Sequence, residues 1–237
     1  MKFAVIQFPG SNCDQDCLRA INSLPGLRAE YVWHKENSLA CFDAIVLPGG
    51  FAYGDYLRCG AIARFSPIMS EVMRVASDGR LVIGTCNGFQ VLCEAGLLPG
   101  ALVRNRALRF VCETARLRVE VADSAFTHGC PRGSILRLPI AHGEGCYFAD
   151  AATLRELNEN GQVILRYCDE TGALTAQSNP NGSVENIAGI CNRAGNVFGL
   201  MPHPDRACDR RLGSGDGAKI FRSMAETTAR GERRVAA

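Results

Sequence analysis

Residues Arg80 to Glu94 read RLVIGTCNGFQVLCE, and this stretch decides the fold. Leu81, Val82 and Ile83 form a short apolar run of the kind that fills a buried strand. Phe89, Val91, Leu92 and Ala95 then recur at helical spacing, and Gly96 supplies a stop. Between them stand Gly84-Thr85-Cys86-Asn87-Gly88. A strand that passes into a helix through G-x-C-x-G is the thiol form of a nucleophile elbow: glycines two before and two after let a strained turn expose the central residue. Cys86 is therefore the candidate nucleophile. The N-terminal end of the following helix, and any histidine folded against it, favour the thiolate.

Working outward, Lys2 to Phe8 reads as a buried strand. Pro9-Gly10 follows, then Ser11 and Asn12, either able to cap a helix from Cys13 to Leu24. Glu30 to Trp33 is a second strand, and Ala44 to Leu47 a third that runs into Pro48-Gly49-Gly50. These strands are apolar throughout rather than alternating, which argues for a parallel sheet covered on both faces, with ligands at the carboxyl ends of its strands. The third strand leads into a long glycine-rich loop, PGGFAYGDYLRCGAIAR, from Pro48 to Arg64. Such a loop in a compact domain usually carries function. Ser66-Pro67 opens a helix whose apolar side holds Ile68, Met69, Val72, Met73 and Val75, and the elbow strand comes next. In a parallel sheet, Gly50 and Cys86 then sit at the ends of neighbouring strands.

From Leu97 to Tyr147 the pattern changes. Leu102–Val103, Phe110–Cys112, Arg116–Val121 and Ile135–Ile140 are strand-like, and Leu117, Val119 and Val121 show the two-residue period of antiparallel strands with one wet face. A helix, Ala151 to Asn160, and strands Val163–Tyr167 and Ile187–Asn192 follow. The last strand, Val197 to Met201, ends at Pro202-His203-Pro204-Asp205, and a helix runs from Asp216 to about Ala229. The expected architecture is a single α/β domain over residues 1–229. It has a mostly parallel open sheet flanked by helices, an additional small antiparallel sheet, and a frayed, disordered tail at 230–237.

The 237 residues are 47% hydrophobic and 21% charged. Twenty-six basic side chains against 24 acidic leave +2, so nothing calls for a polyanion, and no nucleic acid partner is expected. No apolar run approaches the ~20 residues of a membrane span. Met1-Lys2-Phe3 leads straight into a strand, so the expected location is cytoplasmic, without a membrane contact. Twelve cysteines are scattered through apolar runs with no C-x-x-C pair, which reads as free thiols in a reducing compartment and no metal site.

A cysteine nucleophile needs a general base, and the base needs a group to orient it. A lone cysteine or histidine is usually a packing residue; here each follows directly on a strand. His203, held between two prolines, is the candidate base. Asp205, two residues on, can accept from its other ring nitrogen. Acyl transfer also needs an oxyanion hole. The amide of Asn87, directly after the nucleophile, is one donor, and an amide at Gly50 or Phe51 is the other.

These residues carry a family resemblance. Gly84-Thr85-Cys86-Asn87-Gly88-Phe89-Gln90 resembles the G-x-C-x-G-x-Q signature of class I, triad-type glutamine amidotransferases, with Pro48-Gly49-Gly50 and His203-Pro204-Asp205 as its companions. Further blocks span nearly the whole chain: FPGSNCD from Phe8, GGFAYGDYLRCGAIAR from Gly49, PIAHGEG from Pro139, MPHPDR from Met201 and LGSGDG from Leu212. They are similar to the glutaminase-subunit family of phosphoribosylformylglycinamidine synthases. The resemblance implies the flavodoxin-like fold of that class, with glutamine hydrolysed to glutamate and ammonia through a thioester on Cys86. His203 serves as base and acid, and Gln90 lies near the bound glutamine.

It further implies a large synthase subunit and a small accessory subunit as partners. ATP and magnesium belong on the large subunit, which turns formylglycinamide ribonucleotide into its amidine in purine synthesis, and no cofactor is expected in this chain. LGSGDG lacks the lysine and the preceding strand of a phosphate loop. Other readings keep the elbow but change the acceptor synthase, or make the chain a protease or deglycase relative. The resemblance departs at Asp205, where the family usually carries glutamate, so the orienting carboxylate is one methylene shorter. His142, in PIAHGEG, is a rival histidine, read as facing a partner or ordering its loop.

Overall fold

The computed structural model describes residues 1–235, with side chains through Arg230. Its strands are β1 (Lys2–Gln7), β2 (Arg28–Trp33), β3 (Ala44–Leu47), β4 (Leu81–Thr85), β5 (Ala101–Val103), β6 (Val111–Val119), β7 (Ile135–His142), β8 (Cys146–Phe148), β9 (Val163–Tyr167), β10 (Ile187–Cys191) and β11 (Val197–Leu200). The α-helices are α1 (Asp14–Asn22), α2 (Pro67–Ser77), α3 (Asn87–Glu94), α4 (Ala151–Glu159) and α5 (Gly217–Val235).

Nine strands form one sheet in the order β2-β1-β3-β4-β11-β10-β9-β6-β7. The first five run parallel. From β10 onward each strand is antiparallel to its neighbour. The expected small antiparallel sheet exists, but it is the pair β5–β8. The alternating segments around Leu117 and Leu138 instead extend the main sheet through β6 and β7. The two pieces read as Phe110–Cys112 and Arg116–Val121 are a single strand, β6.

Successive residues of a strand point to opposite faces, so β1 sends Phe3 and Val5 to one core and Ala4 and Ile6 to the other. The first core packs under α1 and α5, around Ile21, Phe198 and Phe221. The second lies under α2 and α3, around Val72, Phe89 and Leu92. Every residue of β3, β4, β9, β10 and β11 is buried, whereas the edge strand β7 alternates. Continuous apolar runs and alternation thus mark covered and edge positions as elementary packing requires.

Two helix ends differ from expectation. Neither Ser11 nor Asn12 caps α1: the cap position is Cys13, without a side-chain bond, and Asn12 Oδ1 accepts from the Cys13 thiol at 3.3 Å. The last helix continues past Ala229 to Val235, into the segment expected to be a tail, of which residues 236 and 237 lie outside the described residues. All twelve cysteines are free. No helix among the described residues is long and apolar enough to cross a membrane.

Candidate active site

The register of the parallel half places the site. Leu47 pairs with Gly84 across β3 and β4, and Leu200 pairs with Thr85 across β11 and β4. The loops leaving β3, β4 and β11, with Gly50, Cys86 and His203, therefore open at one edge of the sheet, the edge at which parallel sheets bind ligands.

Cys86 has φ 49° and ψ −107°, a left-handed backbone that a side-chain-bearing residue adopts only when its surroundings hold it there. What holds it is the packing of the two elbow glycines. A Cβ on Gly88 would stand 1.9 Å from the Leu47 carbonyl oxygen, and one on Gly84 would stand 2.6 Å from the Gly88 carbonyl. Helix α3 thus sits directly on β3 and β4, and the Cys86 amide donates to the Leu200 carbonyl at 2.8 Å. Phe89, fully buried, presses against Gly199, where a Cβ would lie 2.1 Å from its ring.

His203 is 1% exposed and Asp205 5%. The His203 amide donates to Pro139 O at 2.7 Å, fixing the loop to β7. His203 Nδ1 lies 3.3 Å from Asp205 Oδ2. A bond from Nδ1–H to the carboxylate leaves Nε2 free, and Nε2 is indeed buried without a partner. Burial alone would lower the His203 pKa; the charges of Asp205 and then of Cys86 outweigh it and raise it to about 10. The Cys86 thiol makes no hydrogen bond to Nε2 here and points to the Ala141 carbonyl at 3.8 Å. Gly49 passes so close to the imidazole that a Cβ would stand 2.7 Å from His203 Cε1, which is why Pro-Gly-Gly belongs beside His-Pro-Asp.

Of the three expected oxyanion donors, the geometry keeps two. The Phe51 amide already donates to Gly10 O at 3.2 Å, so it is not free. Among the described residues, no acceptor is paired with the amides of Gly50 and Asn87. Gly50 needs its φ of +137°, and a Cβ there would strike the Asn12 amide at 2.7 Å. Gln90 lines the pocket as expected, yet both ends of its amide are engaged: Oε1 accepts from Asn87 Nδ2 at 2.9 Å and Nε2 donates to Glu144 O at 2.6 Å. Its side chain is a strut between α3 and the loop after β7.

Gly50, Cys86, Gln90 and His203 line a cavity of about 330 Å³ with Asn12, Cys13, Phe51, Asp55, Cys59, Phe110, Gly143, Glu144 and Arg206. That is the size of a small-ligand site. His142 also lines it and is 3% exposed. Its Nδ1 lies 3.2 Å from Asn105 Oδ1, Gly145 is pressed beneath its ring, and its Nε2 is unpartnered. Burial, and next the charge on His203, depress its pKa to about 4, so His142 is neutral at physiological pH. Arg206 donates to Asp16 Oδ2 at 3.0 Å and to Cys13 Sγ at 3.1 Å. Asp55, Glu144 and Arg206 all lie in motifs visible in the sequence, GDYLRC, HGEG and HPDR. Nothing in their spacing shows that they meet.

A cysteine elbow with a buried His–Asp pair at the carboxyl edge of a parallel sheet defines a triad-type acyl-transfer enzyme on an α/β scaffold. Comparison with known proteins narrows this. Residues 1–219 match the CobB/CobQ-like glutamine amidotransferase domain. The PurQ subunit of phosphoribosylformylglycinamidine synthase from Gloeobacter violaceus is 60% identical, over 94% of this chain and 97% of that protein. The PurQ subunit from Moorella thermoacetica is 54% identical over 98% and 99%. A chain of the PurLQS structure from Thermotoga maritima superposes with a TM-score of 0.84 at 42% identity, covering 95% of this chain and 98% of that one. The chain belongs to the glutamine amidotransferase family, within its branch of PurQ subunits of phosphoribosylformylglycinamidine synthase.

Proposed function

We propose that this chain is the glutaminase subunit of a phosphoribosylformylglycinamidine synthase. It hydrolyses glutamine to glutamate and ammonia and delivers the ammonia to a large synthase subunit, with a small third subunit completing the assembly. The observation that carries the reading is the strained elbow of Cys86 opening into the same cavity as His203 and Gly50, with the amide of Asn87 directly after the nucleophile free, in a chain 60% identical to a PurQ subunit.

The sulfur of Cys86 attacks the side-chain carboxamide carbon. The oxyanion lies between the Gly50 and Asn87 amides, which need not reorganise. His203, its Nδ1–H held by Asp205, passes a proton from Nε2 to the leaving ammonia and then takes one from the water that cleaves the γ-glutamyl thioester. Sulfur ends as it began. No group of three or more His, Cys, Asp or Glu among the described residues could hold a metal ion. ATP and magnesium are assigned to the synthase subunit, and the compartment to the cytoplasm.

The test is a glutaminase assay of the chain with and without its synthase partners, ATP and the formylglycinamide ribonucleotide. Glutamine-dependent ammonia release stimulated by that assembly supports the assignment. Stimulation by a different synthase and not by this one would overturn it.

A further inference from the structure

The cavity holds two carboxylates that the hydrolytic chemistry does not use. Asp55 lies in the loop after β3 and Glu144 in the loop after β7, and both line the pocket with Cys86. Asp55 is placed with care. Asn87, the residue after the nucleophile, is 2% exposed. It donates to Asp55 Oδ1 at 3.1 Å and accepts from the Ala52 amide at 3.0 Å. Tyr53, Asp55 and Leu57 have φ of 55°, 53° and 70°, three left-handed residues within five positions. Such strain persists only where contacts over-determine it. Here Tyr53 OH bonds to His34 Nδ1 and to Ser66 Oγ, each at 2.9 Å, and Arg58 clamps Glu94.

The Glu144 carbonyl accepts from Gln90 at 2.6 Å, which fixes that residue's backbone to the same helix. The two carboxylates line the same cavity. Burial and then the charge of Glu144 raise the Asp55 pKa against the hydrogen bonds from Cys59 and Asn87. Both acids also act on the Cys59 thiol, which stays protonated. Glu144 pairs with Arg104 at 3.6 Å, but that side chain is 78% exposed and the pairing is weak and solvated; the Arg206 of the same cavity is engaged by Asp16 and Cys13. Two partly desolvated carboxylates in one cavity call for a cation between them. The cavity also carries the buried, unpartnered Nε2 atoms of His142 and His203, so it is built to receive a polar guest.

We infer that Asp55 and Glu144 form the end of the pocket that receives the α-ammonium of the substrate, and that they select free glutamine over N-acylated or peptide-bound glutamine. The inference rests on the glutaminase reading above. It assigns the amino-acid end of the ligand to one wall, with its carboxamide at Cys86. Because Asn87 joins Asp55 to the elbow, recognition of the ammonium and placement of the scissile carbon share one strut.

The experiment compares L-glutamine with glutaramic acid, which is glutamine without its α-amino group, in the assembled synthase. The subjects are wild type, Asp55→Asn and Glu144→Gln. The expected result is a strong wild-type preference for glutamine. In either variant KM for glutamine should rise by about tenfold or more, as expected when a charge-assisted contact is lost, with kcat changed less than KM. Turnover of glutaramic acid should fall far less than that of glutamine, so the preference collapses. A parallel loss on both substrates would mark Asp55 and Glu144 as structural and overturn the inference, as would a wild type that does not distinguish the two. A wild-type assembly that hydrolyses no glutamine would overturn the glutaminase reading and this inference with it.

Discussion

Asp205 reaches His203 with one oxygen only: Oδ2 stands 3.3 Å from Nδ1, while Oδ1 is buried with no hydrogen-bond partner. That distance is just beyond the usual N–H···O range. The acid orients the imidazole and does not itself react.

Asp205→Asn should therefore weaken glutamine hydrolysis without abolishing it. A closely held triad acid is worth about 10⁴ in kcat; the long bond here implies a smaller loss, roughly ten- to a thousandfold. Cys86→Ala should abolish hydrolysis and thioester formation on the protein, seen by mass spectrometry after mixing with glutamine. Complete and equal loss in both variants would remove the purely orienting role of Asp205.

The charges around His203 can be separated by titration. Burial lowers its pKa, and Asp205 first and Cys86 second raise it to about 10. Removing either side chain should let burial prevail further. In a ¹⁵N NMR titration of the ring nitrogens, His203 should titrate below its wild-type value in Cys86→Ala and lower still in Asp205→Asn. An unchanged midpoint in both would mean that neither side chain couples to the imidazole.

The sequence exposed the parallel half well because its strands are buried on both faces. Ala44–Leu47 and Val163–Tyr167 have the bounds read from their apolar runs. It exposed the antiparallel half less well. In β6, residues Cys112, Glu113 and Thr114 are exposed, so the apolar pattern breaks although pairing with β7 continues from Val111 to Arg118. Cys86, Asn87 and His203 were legible because elbow chemistry ties residue type to local backbone. The Phe51 amide is spent on Gly10, a partner that no local rule names. Asp55 and Glu144 escaped for a related reason: they are brought together by the side chains of Asn87 and Gln90, and side-chain struts leave no periodicity.

The elbow glycines supply a stability test. A Cβ at Gly88 would lie 1.9 Å from Leu47 O and 2.6 Å from Leu47 C, both main-chain atoms that cannot swing aside. At Gly133, φ is +80° but nothing lies within 4 Å. Gly133→Ala should cost about 1 kcal/mol from backbone strain alone. Gly88→Ala should cost roughly 1–3 kcal/mol or more as α3 is driven off β3. Thermal unfolding monitored by circular dichroism should rank Gly88→Ala well below Gly133→Ala, and only Gly88→Ala should lose glutamine hydrolysis. Equal melting temperatures would contradict the close packing of α3 on the sheet.

His142 makes the fold sensitive to acid. In the folded chain it stays neutral down to about pH 4, because burial and the His203 charge oppose its protonation. Unfolded, it titrates near its ordinary value of about 6.5. The unfolded state therefore binds the proton first as pH falls. Stability fully present above pH 6.5 is lost progressively between 6.5 and 4, to a limit of roughly 3 kcal/mol for the whole shift. His142→Gln retains a polar side chain opposite Asn105 but does not titrate. Its unfolding free energy in urea should fall less between pH 7 and pH 4.5 than that of the wild type, whatever its value at pH 7. Parallel decline of the two proteins over that interval would show that protonation of His142 is not opposed by its surroundings.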